Sequence, residues 1–188
     1  MPTHFYLHLM KKFLAFFFTL SFLSQANAQE GHSFADEFTP VWQRAKAYTL
    51  ELAELMPEEK YGYKPTEDIM SFREHLQHLI KNFAALQTYV TGNKQCELSD
   101  KTANLDQLDK KQLIALTGQA FDFIDKLANN TSDAEAQAPL AKPFFAKGVD
   151  MNKRKIFYLL RDHTTHHRGQ LVIYLRMNGI KPPRYRGW

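Results

Sequence analysis

The sequence predicts an all-α protein, a four-helix bundle, on three observations. Four segments carry apolar residues three and four positions apart; the stretches between them hold the Gly, Pro, Asn and Asp that interrupt helices; and capping signals stand at several of the boundaries. The first helix is expected from about Asp36 to Leu55, with Phe38, Val41, Ala45, Tyr48, Leu52 and Leu55 along one stripe and Pro57 marking its end. The connection from Pro57 to Pro65 is too rich in prolines and turn formers to continue it. Ser71 and Glu74 then form a capping box, in which each side chain satisfies a backbone N–H that the helix start leaves without a partner. Helix two follows to about Thr91, with Phe72, Leu76, Leu79, Phe83, Leu86 and Val90 inward and Gly92-Asn93 as terminator. A third helix, about Asp109 to Ala128, directs Leu113, Leu116, Ala120, Phe123, Ile124 and Leu127 inward and stops at Asn129-Asn130. Residues 129–150 form a long connection with a short extended piece expected around Phe144-Phe145. Helix four runs from about Asn152 to Asn178; Gly179 suits the left-handed closing position, and Pro182-Pro183 prevents a restart. These four helices suffice for a bundle, and the connections are long enough for a non-trivial topology.

The chain has 188 residues, 44% hydrophobic and 23% charged, which suits one well-packed core. A single domain is expected over residues 29–188. Residues 1–28 read as a secretory signal: Lys11 and Lys12 precede an apolar run from Phe13 to Leu23, and Ala26 and Ala28 supply the small residues of a cleavage site. The run is well short of the roughly 20 residues that span a bilayer. Cleavage after Ala28 is therefore expected, with export to the periplasm or the exterior and no stable membrane anchor; Met10 is an alternative start. Cleavage removes two of 24 basic residues and none of 20 acidic ones, so the formal charge falls from +4 to +2. That balance, with basic clusters as short as Lys153-Arg154-Lys155 and Arg184-Tyr185-Arg186, argues against a nucleic-acid surface. Cys96, the only cysteine, cannot form an internal disulfide, so the fold rests on burial.

Three of the six histidines beyond the signal lie within His163-Thr164-Thr165-His166-His167. On a helix, positions i and i+4 share a face, so His163 and His167 can direct ring nitrogens at one point while His166 points aside. The inward seam reads Ile156, Leu160, His163, His167, Leu171, Tyr174. Two buried imidazoles side by side are costly without partners and repel when both are charged, whereas a shared metal ion satisfies one nitrogen on each. The residue after His163 is Thr164, not the glutamate that a zinc-protease helix uses as general base, which excludes that reading. Helix two offers His75 and His78 as a third ligand. Periodicity puts His75 nearer the centre of the apolar stripe and His78 on its flank beside Asn82, Ala85 and Tyr89. Both stay open on spacing alone.

The phrases Ser71-Phe72-x-Glu74-x-x-x-His78 and His163-x-x-x-His167-Arg168-Gly169-Gln170-Leu171, the latter followed by Tyr174-Leu175-Arg176 and Gly179-x-x-Pro182-Pro183, resemble the DinB-like (DinB/YfiT-like) helical-bundle proteins. The Tyr61-x-Tyr63-x-Pro65 loop fits as well, and the resemblance covers essentially the whole mature chain. It implies an up-down-down-up bundle, often dimeric, that holds a metal ion through His78, His163 and His167. The export signal is the main departure, since many relatives look cytoplasmic.

Three histidines without a thiolate leave a divalent ion an open position, where closed structural sites generally use four protein ligands. Zinc and nickel lead the candidates, with iron and manganese also acceptable. A small-molecule hydrolase or a thiol-dependent transferase is then expected, as some relatives are; a non-enzymatic module with a structural or sensory ion is the alternative. Gln170, Asp162, Glu74 and Tyr174 are candidate supporting residues. Arg168 is read as reaching a carboxylate or chain end, and Gly169 as permitting close approach of a neighbouring helix.

Overall fold

In the computed structural model, which describes residues 33–141, 143 and 145–186, the four long segments are helices and no strand occurs among the described residues. The segment read as a signal peptide lies outside them. Helix α1 spans Phe34–Leu55 and begins two residues before the expected start, because Ser33 and Asp36 form a capping box of their own. Helix α2 spans Phe72–Thr91. Its Ser71 hydroxyl accepts from the Glu74 N–H, the Glu74 carboxylate accepts from the Ser71 N–H at 2.6 Å, and Gly92 closes the helix at φ 73°. After a single turn, α3 (Glu97–Asp100), come α4 (Lys110–Asn129), capped by Asp109, the short α5 (Asp133–Gln137), and α6 (Lys153–Met177), capped by Asn152. Of the extended piece expected near Phe144-Phe145, Phe144 lies outside the described residues and Phe145 sits in a turn. The connection instead makes one isolated antiparallel bridge between Pro139 and Asn152.

Helix directions follow from which residues meet. Phe34 and Phe38 pack against Phe157 while Tyr48 lies under Arg168, so α1 and α6 run parallel. Trp42 meets Phe121 while Glu54 accepts from Lys110, so α1 and α4 are antiparallel. Arg73 donates to the Leu108 carbonyl just before α4, and Phe83 packs on Phe121, so α2 and α4 are parallel. His75 meets His167 and His78 meets His163, so α2 and α6 are antiparallel. The topology is up-down-down-up. Each long helix packs on two others, α1 and α2 each against α4 and α6, which makes α1 and α2 diagonal partners.

The core is built on a Trp42, Phe83 and Phe121 cluster, with ring centroids 4.8–5.2 Å apart. Two expected stripes are thereby corrected. On α1, Trp42 is buried in place of the half-buried Val41, and Leu55 is 41% exposed; on α4, Phe121 is fully buried while Phe123 is only half-buried. An aromatic ring reaches core from a position a strict projection puts at the edge, and at the end of α1 the following Met56 is fully buried while Leu55 stays outside.

The loop before α2 is tied down at both ends. Tyr61 is buried and its hydroxyl donates to the Ala53 carbonyl at 2.6 Å, while the carbonyls of Tyr61 and Tyr63 accept from Arg73 and Phe72, N–H groups that α2 cannot satisfy itself. This anchors the entry of α2 beside the end of α6, where Tyr63 meets Tyr174 edge to face. Replacing Ser71 with alanine removes one half of the capping box and is expected to cost about 1 kcal/mol. A circular-dichroism melt should show a midpoint lowered by about 2–4 °C; an unchanged midpoint counts against the cap's contribution.

Candidate metal centre

Two helices place four histidines in one layer. His75 and His78 stand one turn apart on α2, His163 and His167 one turn apart on α6, and the antiparallel pairing makes His75 face His167 and His78 face His163. Nε2 of His78 lies 2.8 Å from Nε2 of His163, which lies 3.0 Å from Nε2 of His167. These three residues offer nitrogens that all fall within 4.8 Å of one another, and together they can hold a metal ion. His75 is not one of the three. It is 5% exposed and stands behind them, with Nδ1 2.9 Å from Nδ1 of His167 and Nε2 3.2 Å from the Tyr174 hydroxyl. The hydroxyl donates to the Met70 carbonyl at 2.7 Å. His166 is exposed and meets the His167 ring edge to face.

Burial is the main reason that the protonated form of all four rings is disfavoured. It pushes His167 down to about 3 and His75 to about 4, with neighbouring histidines adding to the effect and Glu74 opposing it at His75. His78 and His163 are lowered for the same first reason, with repulsion from Lys81 and His166 next at His78 and from His78 and His166 at His163. The rings are therefore neutral near neutral pH, which is the form that coordinates.

The donor set fits a divalent cation. Nitrogens bound by one tetrahedral zinc at about 2.0–2.1 Å lie about 3.3 Å apart, so the 2.8 and 3.0 Å spacings need to open by only a few tenths of an ångström. No aspartate, glutamate or cysteine joins the three histidines among the described residues, which leaves part of a coordination sphere to a guest. A cavity of about 610 Å³ adjoins His163, walled by Asn82, Ala85, Leu86 and Tyr89 of α2 and Leu159 of α6, with the exposed Phe145 and Lys94 completing it. The volume and largely apolar lining are those of a small-molecule pocket.

The supporting residues divide. Tyr174 is engaged at the site through His75, whereas Glu74 holds the α2 cap and the Lys64 ammonium, and Asp162 is exposed and paired with Arg161. Gln170 is half-buried, with no hydrogen bond to the cluster among the described residues. One reading is narrowed and one is corrected. Arg168 reaches no carboxylate among the described residues: it is buried over the Tyr48 ring, 5.4 Å from its centroid, donates to Thr165 and lies beside Tyr185 of the C-terminal segment. Gly169 is exposed, and a Cβ there would meet nothing within 4 Å, so it mediates no close approach; a Cβ on Gly118 would meet Leu50 at 3.5 Å. Spacing could not reveal the Leu159 and Phe145 walls, but the Asn82, Ala85, Tyr89 flank beside His78 was visible in it.

Comparison with known proteins places this geometry. The model of the DinB family matches residues 24–187. The uncharacterized protein YjoA of Bacillus subtilis (strain 168) is 25% identical over 131 residues, covering 70% of this chain and 82% of that protein. Its crystal structure, described as a DinB-like protein, superposes with a TM-score of 0.63 at 21% identity over 80% of this chain and 97% of YjoA. A DinB-like protein from Bacillus cereus ATCC 10987 gives 0.66 at 15% identity, over 82% and 98%. YfiT from Bacillus subtilis, described as a probable metal-dependent hydrolase with an unusual four-helix bundle topology, gives 0.61 at 14% identity, over 82% and 94%.

Proposed function

The chain belongs to the DinB family, and we propose that it is an exported metalloenzyme that holds one divalent cation through His78, His163 and His167 and hydrolyses a small, largely apolar substrate. The observation that carries this reading is the convergence of three neutral imidazole nitrogens within 4.8 Å beside a cavity, with no fourth protein ligand among the described residues. A structural or sensory ion would be better served by a closed site. A cation so held supplies Lewis acidity, polarising a substrate carbonyl or lowering the pKa of water or of a small thiol directed at its open side.

The chain's own residues do the rest. His78 and His163 meet across the α2–α6 interface, so binding the ion also ties those helices together. Leu86, Tyr89 and Leu159 exclude water from the apolar part of the substrate, and the exposed ammonium of Lys94 favours an anionic substituent at a distance from the ion. The leader, residues 1–28, directs the protein across the membrane and is removed. No described helix is long and apolar enough to cross a membrane. Zinc or nickel is the proposed ion, and a homodimer the proposed assembly.

Metal analysis of tag-free protein recovered from the exported fraction tests the reading. Wild type should carry stoichiometric zinc or nickel, and His163→Ala and His78→Ala should lose it. A His78→Ala protein that keeps its ion rejects the three-ligand site. Small apolar esters and amides, assayed with and without a small thiol, then separate hydrolysis from thiol transfer; turnover that survives chelation removes the ion from the chemistry.

A further inference from the structure

His75 has no place among the three ligands, yet both of its ring nitrogens are engaged. Nδ1 lies 2.9 Å from Nδ1 of His167, Nε2 lies 3.2 Å from the Tyr174 hydroxyl oxygen, and that hydroxyl lies 2.7 Å from the carbonyl oxygen of Met70. A backbone carbonyl can only accept. The Tyr174 proton therefore points to Met70, the phenol oxygen accepts from His75, and the His75 proton sits on Nε2. His75 Nδ1 is then a bare acceptor, and the 2.9 Å contact is a hydrogen bond only if His167 carries its proton on Nδ1. That leaves the His167 lone pair on Nε2, the nitrogen that faces His163.

Reversing the chain turns the Tyr174 proton toward His75. Two oxygens would then face each other at 2.7 Å with no hydrogen between them, an unfavourable contact in place of a hydrogen bond. The carbonyl that anchors the direction belongs to the residue before the α2 cap, so the same segment that starts the helix orients a ring on α6. Among the described residues, the hydrogen bonds of His78 and His163 run through Nε2 alone. His167 is thus the one ring of the three whose tautomer the surrounding fold sets.

We propose that His75 is a positioning residue: held by Tyr174 and the Met70 carbonyl, it fixes His167 as the Nδ1–H tautomer and so presents Nε2 to a divalent cation before one arrives. The inference rests on the metal reading for its purpose, but its geometry stands without an ion. It gives His75 a role that its central place on the α2 stripe makes necessary, since a buried imidazole there must have both nitrogens satisfied.

Ring-nitrogen NMR spectra of the metal-free wild type above neutral pH test the tautomer directly and need no variant. His167 should appear as Nδ1–H and His75 as Nε2–H; the opposite tautomer at His167 overturns the proposal. Zinc affinity, measured by competition with a chromophoric chelator, tests the consequence. His75→Phe should bind zinc about 10–100-fold more weakly. His75→Asn, whose side-chain oxygen can stand near the lost Nδ1 and accept from His167, should recover much of that loss. Tyr174→Phe should leave His167 as a mixture of tautomers. Wild-type affinity in His75→Phe, folded by circular dichroism, also overturns the proposal. A wild type that binds neither zinc nor nickel removes the metal reading instead, while the spectra still decide the tautomer.

Discussion

Trp42→Ala is expected to be the most destabilising single core change tested, costing about 3–5 kcal/mol. Trp42 is fully buried on α1, its ring centroid lies 5.4, 5.2 and 4.8 Å from those of Phe38, Phe83 and Phe121, and its indole N–H donates to the Phe121 carbonyl at 2.9 Å. One side chain thus joins α1, α2 and α4. Truncation removes the transfer energy of the ring, leaves a cavity that three helices cannot close without moving, and discards several aromatic contacts at once. Total stabilities of domains this size run about 5–15 kcal/mol, so the loss is a large share. At about 2–4 °C per kcal/mol, the melting midpoint should fall by roughly 6–20 °C. Leu55→Ala is the control. The apolar pattern assigns Leu55 to the core, but at 41% exposure it should change stability by no more than about 0.5 kcal/mol. Equal losses for the two variants would show that the pattern, not the observed packing, locates the core.

That contrast shows what kind of information the sequence carries. Boundaries with a chemical marker were legible: the Ser71 and Glu74 box, Gly92, Asp109, Asn152 and Gly179 all stand at helix ends in the structure. Ser33 and Asp36 carry the same marker as Ser71 and Glu74, and α1 starts there rather than at Asp36. Which residue of an apolar stripe goes deepest was not legible, because depth depends on the partner helix. Trp42 and Phe121 are chosen by each other, and neither can be ranked from its own helix. The candidate centre divides the same way. The pair on α6 follows from the i, i+4 rule, whereas the choice between His75 and His78 depends on how far α2 and α6 are offset along their axes. The offset sets His78 opposite His163, so the flank of the stripe, which carries Asn82, Ala85 and Tyr89, becomes the cavity wall. His75 takes the centre, where it meets Tyr174.

Acid is expected to destabilise the metal-free protein before its carboxylates begin to titrate. In the unfolded chain the histidines take up protons below about pH 6.5, whereas in the fold burial holds His75 near 4 and His167 near 3, with His78, His163 and His166 adding repulsion and only Glu74 opposing at His75. Between those limits the unfolded state binds more protons than the native state, so stability rises with pH across the window. The contribution is complete above pH 6.5 and is lost as the pH falls toward the folded values. Each histidine contributes a slope of about 1.4 kcal/mol per pH unit while it is protonated only when unfolded. Together His75 and His167 amount to a loss on the order of 5 kcal/mol, given how strongly the two rings are coupled. Glu74 is held near 2 by its bonds to Ser71 and Lys64, so its contribution disappears lower, as the pH falls from 4.5 toward 2. The interval from 6.5 to 4.5 therefore belongs mainly to the histidine layer. Melting midpoints of chelator-treated protein should be level above pH 6.5 and fall through that interval. His167→Phe, which removes the ring whose protonation the fold disfavours most, should flatten the fall. Saturating zinc should raise the midpoint near neutral pH, by about 2.7 kcal/mol in stability at a hundredfold excess over its dissociation constant, and lose that effect in acid as protons compete for the same nitrogens. A metal-free midpoint that stays level from pH 6.5 down to 4.5 would mean that the four rings charge as readily in the fold as in the open chain. Burial would then carry no protonation cost at these rings, and the acid sensitivity assigned to the histidine layer would not exist.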